Sequence, residues 1–271
     1  MSIVVSGDTG FIGSHFLEYS NHVVKPFSEN NLKEADQLLH LIGTTDNYHI
    51  FTDPLIDIET NNILLIDYLE KFKMNCPDAV FNFVSSWFVY GTTEPPFDEQ
   101  STCKPIGLYS VTKYSAELIV ETYCKTFGLN YRIIRLANVV GNGDRGISTR
   151  KNALQQVIKQ LRMNSDVDLY HQGNLVRDFI HVIDVVHGLD FILRQGELNE
   201  IYNLGSGISH RVGDLVVRCR ELLKSESKIR FLDTPFPYSV FEIPECRLNV
   251  ARLTSLGFKL KFRVDEVLEN L

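Results

Sequence analysis

Residues 2–13, SIVVSGDTGFIG, constrain this chain more than any other segment. An apolar, β-branched run is followed by Gly7-Asp8-Thr9-Gly10-Phe11-Ile12-Gly13 and then by helical periodicity. A strand that turns on glycines into a helix brings bare backbone N–H groups and the positive helix end up to a phosphate. Gly7 permits the tight turn, Gly10 lets a pyrophosphate approach the backbone, and Gly13 allows helix and strand to pack closely. Thr9, Phe11 and Ile12 lie in the same turn and count with it as candidates for binding a dinucleotide.

The rest of the first half keeps the same rhythm. Short apolar runs at 22–25, 40–42, 79–84 and 131–136 alternate with helical patterns at 11–19, 32–39, 61–73 and 108–127. Such alternation predicts βαβ units on a parallel sheet, an α/β fold of the Rossmann type. Beyond residue 140 the pattern loosens. It gives a loop at 141–146, helices at 152–163 and 212–223, and a short strand at 167–170. A strand-to-helix segment runs over 180–193, and a helix-and-loop segment over 253–271. The division expected is a dinucleotide-binding domain over 1–139, to which the chain returns at about 178–195. Residues 140–177 and 196–271 form a small C-terminal α/β substrate lobe.

A dinucleotide site usually carries an acidic residue about 20 residues after the glycines, to grip a ribose hydroxyl. Here the second strand ends in Lys25-Pro26-Phe27-Ser28, with no acid. Lys25 or Ser28 either meets a 2′-phosphate, which favours NADP, or simply ends a solvated strand. The interval from Gly13 to the third strand is too short for two full strand–helix units. One peripheral unit is therefore expected to be missing from the sheet.

Two further features carry chemistry. Tyr109 and Lys113 stand four apart in YSVTK, on one face of the 108–127 helix. A phenol titrates near ~10, so it serves as a base at neutral pH only if nearby positive charge stabilises the phenolate. Val84-Ser85-Ser86-Trp87-Phe88 closes an apolar strand, where open α/β sheets place their ligands. The Ser86 hydroxyl there can hydrogen-bond an oxygen that alternates between alcohol and ketone.

The charge balance narrows the partners. With 34 acidic and 27 basic residues the net charge is −7, which argues against a nucleic-acid face. No apolar run is long enough for a membrane span. The five cysteines form no C-x-x-C pair, and the eight histidines no metal-type pair, so no metal is expected. Reduced thiols and an N-terminus without a basic leader predict a cytoplasmic protein.

Taken together, GDTGFIG, HLIGTT, SSWFVYG, YSVTK, RLANVVG, VRDFIHVIDVV and NLGSG resemble the extended short-chain dehydrogenase/reductase family, in its nucleotide-sugar epimerase/dehydratase branch. The resemblance implies that Tyr109 is the acid/base, Lys113 the ribose-binding partner and Ser86 the catalytic hydroxyl. It places Leu41, Ile42, Gly43 and Asn61 beside an NAD or NADP cofactor. It implies that Asn138 and Arg177 contact a nucleoside-diphosphate sugar, Arg177 through the diphosphate. Tyr170 either packs on the nucleobase or belongs to the core, and Arg177 alternatively pairs with Asp178. Arg145, Arg150 and Lys151 either line the same cleft or sit in a solvated loop. The helices at 61–73 and 108–127 resemble the pair that builds a dimer in the family.

The departures are informative. Dehydratases of this branch carry an Asp-Glu pair directly after the catalytic hydroxyl, where this chain has Trp87-Phe88. The glutamate of decarboxylases and the cysteine of 3,5-epimerases are likewise missing. What remains is hydride chemistry at one carbinol carbon, C4 of the sugar. The expectation is a 4-epimerase, the alternatives being an NADPH-dependent 4-keto-6-deoxysugar reductase and an NAD(P)-binding protein without turnover.

Overall fold

The structure, a computed structural model, describes residues 1–144 and 153–262. β1 (Ser2–Ser6) is buried along nearly its whole length, as an apolar strand covered on both faces should be. It feeds through the glycine turn into α1 (Phe11–Tyr19), which buries Gly13 and Phe16. β2 (Val23–Pro26) leads to a single turn, α2 (Glu29–Leu32), capped by Ser28, whose Oγ accepts from Asn31 N at 3.1 Å. β3 (Gln37–His40) is buried at every residue.

The helix expected at 61–73 starts earlier. It runs as α3 (Leu55–Ile58), a π-helical turn (Glu59–Ile63) and α4 (Leu64–Asn75). Leu55, Ile56 and Ile58 are exposed in the first part, so its apolar residues do not mark a buried helix face. β4 (Val80–Ser86) ends in a 3-10 turn (Trp87–Tyr90), and α5 (Leu108–Phe127) matches the expected helix end to end. β5 (Asn130–Leu136) and β6 (Asn138–Val140) follow.

The remaining elements are α6 (Ala153–Arg162), β7 (Val167–Leu169), β8 (Val176–His181), α7 (Val182–Gln195) and β9 (Glu200–Leu204). They are followed by β10 (Ser209–Arg211), α8 (Val212–Leu222), β11 (Ile229–Phe231) and α9 (Ala251–Ser255).

The main sheet has the order β2-β1-β3-β4-β5-β9, all parallel. It is a Rossmann-type sheet in which β2 is an edge, so the expected shortening by one peripheral strand–helix unit holds. The order reverses at β1, between β2 and β3, and the crevice above that point faces the C-terminal strand ends. Two apolar clusters cover the sheet. One contains Phe16, Ile134, Val185 and Leu189, the other Leu65, Leu69, Phe72 and Val120.

β10-β8-β6 and β11-β7 form the sheets of a smaller lobe, whose core joins α6 and α8 through Leu154, Ile158, Phe179 and Val216. Two assignments need correction. Residues 37–40 are strand, where 32–39 reads as helix, because β3 lies between two strands and its polar ends are buried. β9 belongs to the main sheet, although 196–271 reads as second lobe. Its pairing with β5 bridges more than sixty residues and leaves no local signature.

Candidate active site

The crevice above the switch point is built from backbone. Gly7 has φ +84, and a Cβ there would stand 3.2 Å from the backbone of Leu41 and Ile42. A Cβ on Gly13 would come within 2.1 Å of the Gly7 carbonyl. The two glycines thus let the turn, α1 and the end of β3 close on one another. α1 starts with no side-chain cap at Gly10 and no acid in its first turn, so its leading N–H groups are left for an anion. Thr9 is exposed at the rim, and Ile12 and Leu41 pack on the core beneath. This cradle fits a dinucleotide pyrophosphate, with the glycine turn and Leu41–Gly43 as its walls. On the β2 side, Lys25 Nζ is tied to Glu34 at 2.9 Å, and Ser28 caps α2.

The Ser–Tyr–Lys residues converge at the other end of the crevice. Tyr109 and Lys113 are both buried on α5, and Ser86 ends β4 beside them. Burial pushes the Tyr109 phenol up to about 12, against the opposing pull of the Ser86 hydroxyl. Asp57 pushes in the same direction as burial. Lys113 donates from Nζ to the Val84 carbonyl at 2.9 Å and lies 4.5 Å above the Phe83 ring. Its burial lowers it to about 8, against the pull of Glu117.

A Cβ on Gly43 would stand 3.2 Å from both Lys113 Nζ and Asn61 Oδ1, so three sequence-predicted residues meet at one point. Asn61 sits in the π turn. Its Oδ1 accepts from Thr44 N at 3.0 Å, and its Nδ2 donates to Thr44 Oγ1 at 2.8 Å and Thr112 Oγ1 at 3.0 Å. A π turn at such a place is a frequent mark of function.

Trp87 and Phe88, which follow Ser86, stack at 4.1 Å. The Trp87 indole N–H donates to Asn138 Oδ1 at 3.3 Å, and the Arg177 guanidinium lies 5.1 Å over the indole. Arg177 donates to the carbonyls of Val176 and Pro244, at 2.8 and 3.3 Å. It does not take the alternative partner: Asp178 is fully buried and holds Ser206 and Gly207 instead. Burial raises that carboxyl to about 6. Tyr170 is 49% exposed, which removes the core reading. Arg145, Arg150 and Lys151 lie outside the described residues.

One group escaped sequence reasoning. His49 and Asp57 are hydrogen-bonded at 2.9 Å, with Thr44 on the same carboxylate oxygen. Spacing gave no hint, because a turn intervenes. The signal that existed was an acid amid apolar residues in PLIDIET. Tyr48, Phe51, Tyr238 and Phe241 also gather here, with ring centroids 5.1–6.4 Å apart. They bring the segment after β3 against the second lobe near Gly107, two residues before Tyr109.

The chain is 24% identical to a putative UDP-glucose 4-epimerase of Methanocaldococcus jannaschii, covering 99% of this chain and 96% of that protein. It is 24% identical to the GDP-6-deoxy-D-mannose reductase of Pseudomonas aeruginosa, covering 84% and 82%. Its fold matches the Thermus thermophilus UDP-glucose 4-epimerase complex with NAD at TM-score 0.84 and 20% identity, over 100% and 97% of the two chains. The model of the NAD dependent epimerase/dehydratase family matches residues 21–205, and the chain belongs to that family.

Proposed function

We propose that this protein is an NAD(P)-dependent oxidoreductase acting at C4 of a nucleoside-diphosphate sugar, as a nucleotide-sugar 4-epimerase. The observation that carries the reading is the shared burial of Ser86, Tyr109 and Lys113, with Lys113, Asn61 and Gly43 meeting at one point. The bound nicotinamide would accept hydrogen from the sugar carbinol and return it to the opposite face. Tyr109 takes the hydroxyl proton as C4 becomes a ketone and gives it back as the alcohol re-forms. Ser86 holds the sugar oxygen through both halves. Lys113 and the positive nicotinamide together favour the phenolate that burial opposes. Arg177 and Asn138 hold the diphosphate end of the substrate, and Tyr170 offers an exposed ring to the base.

Both groups that could have received a 2′-phosphate, Lys25 and Ser28, are already engaged. That supports NAD, the cofactor an epimerase keeps through its cycle. The missing strand beyond β2 favours the reductase alternative, since an open adenosine end suits a cofactor that leaves. Denaturing the purified protein and identifying the released nucleotide separates them. Stoichiometric NAD supports the epimerase. An empty protein stabilised only by NADPH supports the reductase. In either case Tyr109→Phe lowers turnover by about 10²–10⁴ and leaves cofactor affinity nearly unchanged. If the variant keeps full activity, the acid–base assignment fails.

The reading extends to assembly and place. Ile63, Ile66 and Met74 on the α4 side, and Val111 and Leu118 on α5, are all more than 40% exposed. Such a stripe on two packed helices supports a homodimer with a second copy. Ile66→Glu would leave a monomer on size-exclusion chromatography, and an unchanged elution volume would count against it. The five cysteines are all free, in keeping with a reducing cytoplasm.

A further inference from the structure

Behind the acid–base pair lies a charge that the chemistry above does not use. Asp57 on α3 is fully buried. Its Oδ1 accepts from Thr44 Oγ1 at 2.5 Å and from His49 Nδ1 at 2.9 Å. Its Oδ2 is buried with no hydrogen-bond partner among the described residues. His49 is 21% exposed, so the pair runs from the surface to the interior.

Thr44 joins this pair to the site. Its backbone N–H and its hydroxyl both engage Asn61, which shares the Gly43 wall with Lys113 and donates to Thr112 Oγ1, a hydroxyl that itself donates to the Tyr109 carbonyl at 3.0 Å. We propose that Asp57, clamped by His49 and Thr44, is a positioning residue for Tyr109. It fixes the Gly43–Thr44 loop against Asn61 and stands a negative charge behind the phenol.

A half-satisfied buried carboxylate is costly, and here the cost has a use. The charge opposes phenolate, in the same direction as burial. Tyr109 is faced by Asp57 from α3, the Ser86 hydroxyl from β4 and the uncharged edge of Phe88, while Lys113 and Glu117 follow about one and two turns along its own helix. His49 faces Asp57 from the turn His49–Phe51.

This inference rests on Tyr109 being the acid–base residue, but its test does not need turnover. The NAD-loaded protein is labelled with carbon-13 at tyrosine Cζ, and the Tyr109 resonance is assigned with Tyr109→Phe. Asp57→Asn keeps an acceptor for Thr44 but removes the charge. It should lower the Tyr109 midpoint by roughly half a pH unit or more, a threefold or greater rise in ionised fraction below it. His49→Gln leaves the carboxylate without its imidazole and should not lower the midpoint. A midpoint unmoved or raised in Asp57→Asn overturns the proposal, as does an equal fall in both variants, which would mean mere loosening. The expected shifts in a protein that turns over no nucleotide sugar would uphold this role and sink the proposed function instead.

Discussion

The helix that carries Tyr109 and Lys113 is pinned by a buried ion pair, and removing one partner should show how much depends on it. Glu117 on α5 and Arg135 on β5 are each under 5% exposed at the side chain. The guanidinium meets the carboxylate through Nε at 3.1 and 3.2 Å and through Nη2 at 2.8 Å, while Nη1 reaches the Glu99 carbonyl at 3.3 Å. Its plane also lies 4.8 Å from the Tyr90 ring centroid. Glu117→Gln keeps the shape and leaves Arg135 charged, buried and without a counter-ion.

Breaking such a pair costs about 3–5 kcal/mol. At ~2–4 °C per kcal/mol for a chain of this size, Tm falls by roughly 6–20 °C. Replacing both partners, Glu117→Leu with Arg135→Met, removes the orphan charge and should recover most of the loss. The assay is urea and thermal unfolding of the wild type, both single variants and the double variant. A loss under about 1 kcal/mol for Glu117→Gln, or a double variant no better than the single, would refute the reasoning. Lys113 lies one turn from Glu117, whose charge supports its ammonium, so Glu117→Gln should also reduce turnover in the protein that stays folded.

Other outcomes follow from the same geometry. Tyr109→Phe should lower turnover by about 10²–10⁴ with cofactor Kd within a small factor of wild type, read by steady-state kinetics and fluorescence titration. Gly13→Ala drives a Cβ into the Gly7 carbonyl and should cost about 1–3 kcal/mol while weakening dinucleotide binding, checked by calorimetry with and without NAD. Lys113 folds with its pKa lowered to about 8 from 10.5. The unfolded chain therefore binds more protons between those values, and this site's contribution to stability rises with pH across that window. Lys113→Met should accordingly stabilise the cofactor-free protein at pH 7 by about 1–3 kcal/mol, read as a higher Tm, with the gain shrinking as pH approaches 10. A gain that is constant with pH would show that the buried charge is not its source.

Local rules made much of this protein legible. α5 could be bounded from its own residues because its apolar spacing, its preceding Gly107 and its closing Gly128 all agree. The glycine turn was equally plain, since backbone sterics at Gly7 and Gly13 admit few alternatives. β3 and the start of α3 were misread for opposite reasons. Gln37 and His40 are polar yet buried, while Leu55, Ile56 and Ile58 are apolar yet exposed, so in both places hydropathy pointed away from burial. Trp87 read as a departure from a family pattern. Only the fold revealed that it orients Asn138 and lies under Arg177.

By itself the sequence determined the parallel α/β fold, its shortening by one unit, the glycine turn and the Tyr109–Lys113 spacing. These are properties of contiguous residues, governed by dihedral limits and period. Tertiary structure decided that β9 completes the main sheet, that Asp178 holds Ser206 and Gly207 rather than Arg177, and that His49 pairs with the buried Asp57. Each of these joins segments by packing and desolvation, and a buried charge chooses its partner only once the chain has closed around it.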